Sequence, residues 1–317
     1  MHPWNEALFE SLKGRAGRFP HALLIHGARG TGKLALAERL AQFLLCEDAL
    51  AKPCGRCEGC RWFLAGSHPD FRRLEPEALA RQPIEPEEGA DTPAKRTKPS
   101  TEIKVEQVRE LAGFLNLRSH RGKLRVALVH PAEDMNANAA NALLKGLEEP
   151  PASAVFLLVS HRPSQLLPTI RSRCVALPVP IPNRDAALKW LSAQGAKNPE
   201  RWLAYAGGAP LQALEYAAKA DVLERLIQGP LPVDDRDELD ALAEALQKIA
   251  LDRALSALGL PPKYQTGIGP ASRTQARAWL SFARRMGEDR LLCRHPLSPK
   301  LFSAAMLASL PRLKASS

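Results

Sequence analysis

The chain has 317 residues, 45% of them hydrophobic, 25% charged and only 5% aromatic. That length exceeds one typical domain, and the balance excludes a disordered or fibrous protein and calls for a core of Leu, Ala and Val. No apolar run reaches the ~18 residues of a membrane span. The N-terminus, MHPWNEALFESLKGR, lacks the apolar centre of a signal peptide, so a soluble cytoplasmic protein with no membrane partner is expected. The formal charge is +10, and it is unevenly placed: eleven basic but two acidic residues lie from Arg253 onward. Such a tail suits an anionic partner, nucleic acid or an acidic protein face, although solvated helix faces give the same count.

His21 to His26 (HALLIH) reads as a short buried strand, and Leu34 to Leu45 carries apolar residues at helical spacing. Between them lies GARGTGKL. Glycines at Gly27, Gly30 and Gly32 with Lys33, after a strand and opening a helix, make most of a phosphate-binding loop. Backbone N–H groups, Thr31 included, would face phosphates there, and Lys33 would reach the outer oxygens.

Next come Cys46, Cys54, Cys57 and Cys60, in the spacing C-x7-C-x2-C-x2-C. Two-residue gaps are too short for a disulfide framework but let thiolates converge on a tetrahedral metal. Gly55 and Gly59 permit the tight backbone this requires. Structural zinc is the favoured occupant, since the spacing matches neither common ferredoxin pattern; an iron–sulfur cluster and four ordinary thiols are the alternatives. Residues 82–101, with four prolines and almost no apolar residue, are expected to be a disordered surface insertion.

Leu124 to Val129 and Ala154 to Val159 are further buried strands. Between them, Ala139, Ala140, Leu143, Leu144 and Leu147 form one helical face, stopped by Pro150–Pro151. Strands alternating with helices indicate an α/β fold with a parallel sheet. After Cys174 the pattern turns helical. The expected domains are 1–179 (phosphate-loop domain with the cysteine module), 180–226 (small helical) and 227–317 (all-helical), with breaks at Pro178–Asn183 and Gln228–Asp235.

Two positions in the phosphate loop's usual machinery are wrong for catalysis. Leu34 stands where a Ser or Thr hydroxyl would hold Mg²⁺. The strand that should end in a metal-binding Asp and a catalytic Glu ends in His130 and Pro131, while Glu133 and Asp134 are displaced by three residues. Mg²⁺ prefers oxygen ligands, and proline can neither bind metal nor polarise water. No Mg²⁺ site and no hydrolysis are expected; ATP or ADP binding is left open, since backbone amides alone can hold phosphate.

The CxxCxxC set, SHPDF (Ser67–Phe71), LLKGLEEPP (Leu143–Pro151), the strand AVFLLVS and the triplet Ser172-Arg173-Cys174 together resemble the bacterial sliding-clamp loader subunits of DNA polymerase III, which are AAA+ proteins. The likeness runs from about His21 to Cys174. It implies an AAA+ domain with a zinc knuckle, a helical lid and a helical collar domain that docks into an oligomeric ring. It also implies gamma/tau and delta subunits as partners, with the sliding clamp and primed DNA reached through the assembly. Departing at both catalytic positions, the chain resembles a non-hydrolysing member of the ring. The resemblance gives Arg173 the role of an arginine finger acting in trans on a neighbour's ATP, and Ser160 the place of a polar sensor. The lid lacks the family's arginine: Gly207-Gly208-Ala209-Pro210-Leu211 stands there. Two other readings compete, an active phosphate-loop ATPase and a zinc-dependent nucleic-acid-binding module. No polymerase carboxylate constellation is visible, so a classification as DNA-directed DNA polymerase would describe the holoenzyme.

Overall fold

The computed structural model describes residues 1–14, 19–80, 99–117, 124–267, 272–293, 295 and 297–311. The chain divides into two compact units, Met1–Ile181 and Pro182–Ser317.

The first unit contains α1 (Glu6–Lys13), β1 (Ala22–His26), α2 (Lys33–Leu45), α3 (Glu58–Leu64), β2 (Phe71–Leu74) and α4 (Val105–Asn116). It continues with β3 (Arg125–Val129), α5 (Ala137–Glu148), β4 (Ala154–Ser160), α6 (Pro168–Arg173) and β5 (Val175–Pro178). The five strands form one parallel sheet in the order β2-β3-β4-β1-β5. β3 and β4 are buried along their whole length. This explains why they read as unbroken apolar runs: helices cover both faces of a parallel sheet. Alternate side chains feed two cores. Leu24, Ala127, Val129, Phe156 and Leu158 join α4 and α5, while Leu23, Ile25, Val126, Leu128, Leu157 and Val159 join α1 and α2.

β1, β3 and β4 lie where the apolar runs place them. The two edge strands are not legible in that way. β2 is FRRL, and its arginines find partners only in the fold: Arg73 meets Glu38 at 2.9 Å and Glu75 at 2.7 Å, and Arg72 lies over the Phe114 ring. β5 is largely exposed and ends at Pro178, which the sequence marks as the start of a linker. At a sheet edge a proline forfeits no ladder bond.

Asn136 caps α5 by accepting from Ala139 N–H at 2.8 Å, and Pro150 follows its end. Of the proline-rich segment expected to be an insertion, 82–98 lie outside the described residues.

The second unit is helical among its described residues: α7 (Arg184–Ala193), α8 (Pro199–Tyr205), α9 (Pro210–Ala218), α10 (Ala220–Gln228), α11 (Arg236–Ala257), α12 (Ala276–Leu292) and α13 (Pro299–Ala308). One apolar core, from Ala187 to Met306, joins them. Within it Lys248 is buried. Its ammonium donates to Glu244 Oε1 at 2.8 Å and to Tyr216 Oη at 3.0 Å, and lies 3.8 Å from the centre of the Tyr205 ring.

Candidate functional site

The loops at the carboxyl ends of β1, β3 and β4 share one edge of the sheet, the edge where open α/β sheets bind ligands. After β1, Gly30 and Gly32 take φ of 83° and 81°, which lets the chain curl before α2 begins at Lys33. Gly27 lies with its backbone against Val179, so close that a Cβ there would strike the Val179 carbonyl. Gly32 is constrained twice over, because a Cβ would also press on the His2 ring. The N-terminal segment buttresses this loop. Trp4 Nε1 and Asn5 Nδ2 each donate to the Thr31 carbonyl at 3.0 Å, and His2 stacks on Trp4. Nothing in the sequence pattern pointed to His2, Trp4 or Asn5.

Lys33 is 2% exposed and donates to the Ala28 carbonyl of its own loop at 2.5 Å, as does the Thr31 hydroxyl at 3.0 Å. Burial lowers the Lys33 amine to about 8, with Glu133 opposing the shift. Leu34 packs its side chain against the core beneath α2.

Just past the ends of β3 and β4, two imidazoles meet. His130 Nε2 and His161 Nε2 are 3.3 Å apart, with the rings edge to face. Burial first, then the positive charges of Arg73, Lys33 and Arg29, hold His130 down at about 4. Burial and Lys33 hold His161 at about 3. Both rings are therefore held neutral at pH 7, with their Nε2 atoms within hydrogen-bond distance of each other. Ser160, fully buried at the end of β4, accepts at Oγ from Arg162 N–H at 3.2 Å. Glu133 accepts from His161 N–H at 2.9 Å, and Arg162 lies 3.9 Å from Glu133 and 3.7 Å from Asp134. The nearby carboxylates are thus engaged in fixing the loop after β4. His161 and Arg162 were missed from sequence; adjacency to Ser160 was their only mark.

Arg173 lies apart from this cluster, at the last turn of α6. Its Nη2 meets Glu148 Oε1 at 2.7 Å and its Nη1 donates to the Thr169 carbonyl at 3.0 Å, with the side chain one-third exposed.

The four cysteines do come together. Their sulfurs all lie within 4.8 Å of one another, and Cys46 and Cys57 are 3.9 Å apart. A tetrahedron with Zn–S bonds near 2.3 Å has sulfur–sulfur edges of about 3.8 Å. Each knuckle turn is tied by an N–H···S bond, from Cys54 to Cys46, Cys57 to Cys54 and Cys60 to Cys57. Burial pushes the Cys46 and Cys60 thiols up. At Cys57 burial is outweighed by N–H donors of Glu47 and Cys60, which hold it at about 6. Four sulfurs this crowded, two of them in buried residues, cannot all ionise without a cation, so the donor set fits a tetrahedral thiophilic metal. Gly59 is needed for closeness: a Cβ would lie 2.8 Å from the Leu45 carbonyl. His68 of SHPDF packs edge-on against Trp62 of this module, and Asp70 lies 3.5 Å from the buried Arg125 of β3. That motif joins the cysteine module to the sheet.

A parallel sheet in this strand order, with a glycine–lysine loop after β1, defines the first unit as an AAA+ domain. A solved structure described as a DNA polymerase III, gamma subunit-related protein from Thermotoga maritima has the same fold (TM-score 0.52, 19% identity, 95% of this chain and 97% of that one). The chain belongs to the family described as DNA polymerase III, delta subunit, whose model matches residues 5–182. Its curated relatives include DNA polymerase III subunit delta' of Pseudomonas aeruginosa, 45% identical over 67% of this chain and 60% of the relative. Another is subunit delta' of Escherichia coli, 37% identical over 67% and 60%. The match thus spans about three fifths of the length of these relatives.

Proposed function

We propose that this chain is a non-hydrolysing subunit of the bacterial DNA polymerase III clamp loader. It supports ATP-driven loading of the sliding clamp onto primed DNA and works in the cytoplasm. Its partners are gamma/tau and delta subunits, and it reaches clamp and DNA through the assembly. Residues 180–226 serve as the lid and 227–317 as the collar, whose basic surface meets partner subunits.

The observation that carries this reading is the His130–His161 pair in the place of metal-organising carboxylates, beside Leu34 and a lysine bonded to its own loop. Neutral imidazoles in contact with each other offer Mg²⁺ no oxygen and cannot orient water by negative charge. Arg173, by contrast, is at the surface. A guanidinium presented to the γ-phosphate of ATP on a neighbour would stabilise charge developing in that neighbour's transition state. Cys46, Cys54, Cys57 and Cys60 would hold zinc, which neutralises the thiolates and closes the knuckle as a structural staple.

The test is steady-state ATP hydrolysis, first by the isolated chain with Mg²⁺ and primed DNA, then by the reconstituted loader. We expect no turnover from the chain alone and reduced DNA-stimulated turnover in a loader carrying Arg173→Ala. Turnover by the isolated chain that disappears in Lys33→Ala would make it an ATPase in its own right. Undiminished turnover of the Arg173→Ala loader would remove the arginine-finger role.

A further inference from the structure

Arg173 is not a free side chain. Glu148, the last residue of α5, holds its Nη2 at 2.7 Å, and the Thr169 carbonyl of α6 holds its Nη1 at 3.0 Å. Two acceptors on two elements fix the plane of the guanidinium. Nη1 also reaches the neighbouring Ser172 Oγ at 3.5 Å, a long contact, while Nε and the second hydrogen of Nη2 have no acceptor among the described residues, so the group keeps donors for a planar contact with phosphate oxygens. An unrestrained arginine at a surface samples many rotamers and loses that freedom when it binds; one already held loses less. The two anchors are unequal: the Thr169 carbonyl is four residues away on the same helix, and any arginine at this place could find it. Glu148 comes from a different helix and so relates the fingertip to the body of the domain.

We propose that Glu148 is a positioning residue for Arg173, setting the guanidinium in the orientation in which it meets the neighbour's ATP. This rests on the arginine-finger reading given above. Glu148 works through its oxygen as an acceptor at a fixed place, and it remains paired while the open donors engage phosphate. The pair is half exposed, with side-chain exposures of 35% and 47%, so its effect is modest and it adds little to stability.

The experiment compares loaders reconstituted with wild-type chain, Glu148→Ala, Glu148→Gln, Arg173→Ala and the double alanine variant, reading kcat and KM for DNA-stimulated ATP hydrolysis. Glu148→Ala should lower kcat about two- to five-fold, the range an exposed ion pair governs, with KM unchanged. Glu148→Gln retains an acceptor oxygen and should restore most of the loss. The double variant should be no slower than Arg173→Ala, because a residue that acts only through Arg173 has nothing left to position. Melting temperature and subunit assembly should match wild type in all of them. If Arg173→Ala lowers kcat while Glu148→Ala does not, the positioning role falls and the finger stands. If both Glu148 variants raise kcat, the glutamate is a restraint that competes with phosphate, and the proposal is wrong. An unaffected Arg173→Ala loader would overturn the finger reading and this one together.

Discussion

Lys33 and the two histidines carry opposite lessons about buried charge. Lys33 keeps its place under the loop by donating to the Ala28 carbonyl, with Glu133 opposing the burial that lowers its amine. Since it serves its own loop, Lys33→Ala should leave the turnover of the reconstituted loader nearly unchanged, and a severe loss would show a role for nucleotide at this site. His130 and His161 avoid charge altogether. Both are depressed far below the ordinary 6.5, so the unfolded chain binds protons in a range where the folded chain does not. Their stabilisation is complete above pH 6.5 and is lost as pH falls from there toward about 4. The shift of His130 alone, from 6.5 to about 4, makes this loss on the order of 3 kcal/mol, and His161 adds to it. Urea unfolding at pH 7 and pH 4.5 should show this difference in wild type and much less of it in the double variant His130→Asn/His161→Asn. An equal acid sensitivity in both would assign the effect to other groups.

At the scale of elements, the knuckle between α2 and α3 depends on bringing four sulfurs into one small volume. Chelation should therefore lower the melting temperature while the chain's affinity for primed DNA stays the same. Loss of DNA binding in a chain that remains folded would make the module a nucleic-acid reader. α11 offers a second case. Lys248 is buried among Glu244, Tyr216 and Tyr205, and Tyr216 donates its hydroxyl proton to the same Glu244 carboxylate. Arg290 of α12 meets Glu244 Oε2 at 3.2 Å. Removing the ammonium leaves a buried carboxylate short of a partner and opens a hole, so Lys248→Ala should cost about 3 kcal/mol in urea unfolding. The Asn136 cap of α5 is a smaller device, and Asn136→Ala should cost about 1 kcal/mol.

For the molecule as a whole, the arrangement separates what is given from what is used. At the carboxyl edge of the sheet, Lys33, His130, His161 and Glu133 are bonded within and between their loops, while the arginine proposed to act on a partner is at the surface. Expression of the chain without its partners should therefore yield a folded protein with no ATPase activity above a blank. That measurement needs no other subunit and decides the central claim first.

The residues alone determined the three central strands, since both faces of a parallel sheet are covered and such strands must be apolar throughout. They also marked Cys46, Cys54, Cys57 and Cys60 as one cluster, because short gaps keep most of the set local in the chain. Only the tertiary structure decided the rest. β2 hides behind two arginines, Arg73 matched by Glu38 and Glu75 and Arg72 laid over the Phe114 ring. His130 and His161 are 31 residues apart and become neighbours because they follow adjacent strands. The buttress of Trp4 and Asn5 under Thr31, and the hold of Glu148 on Arg173, join residues 25 or more positions apart whose identities say nothing of each other. Local chemistry is written in local spacing, whereas a contact across the fold exists only once the sheet has set where its ends lie.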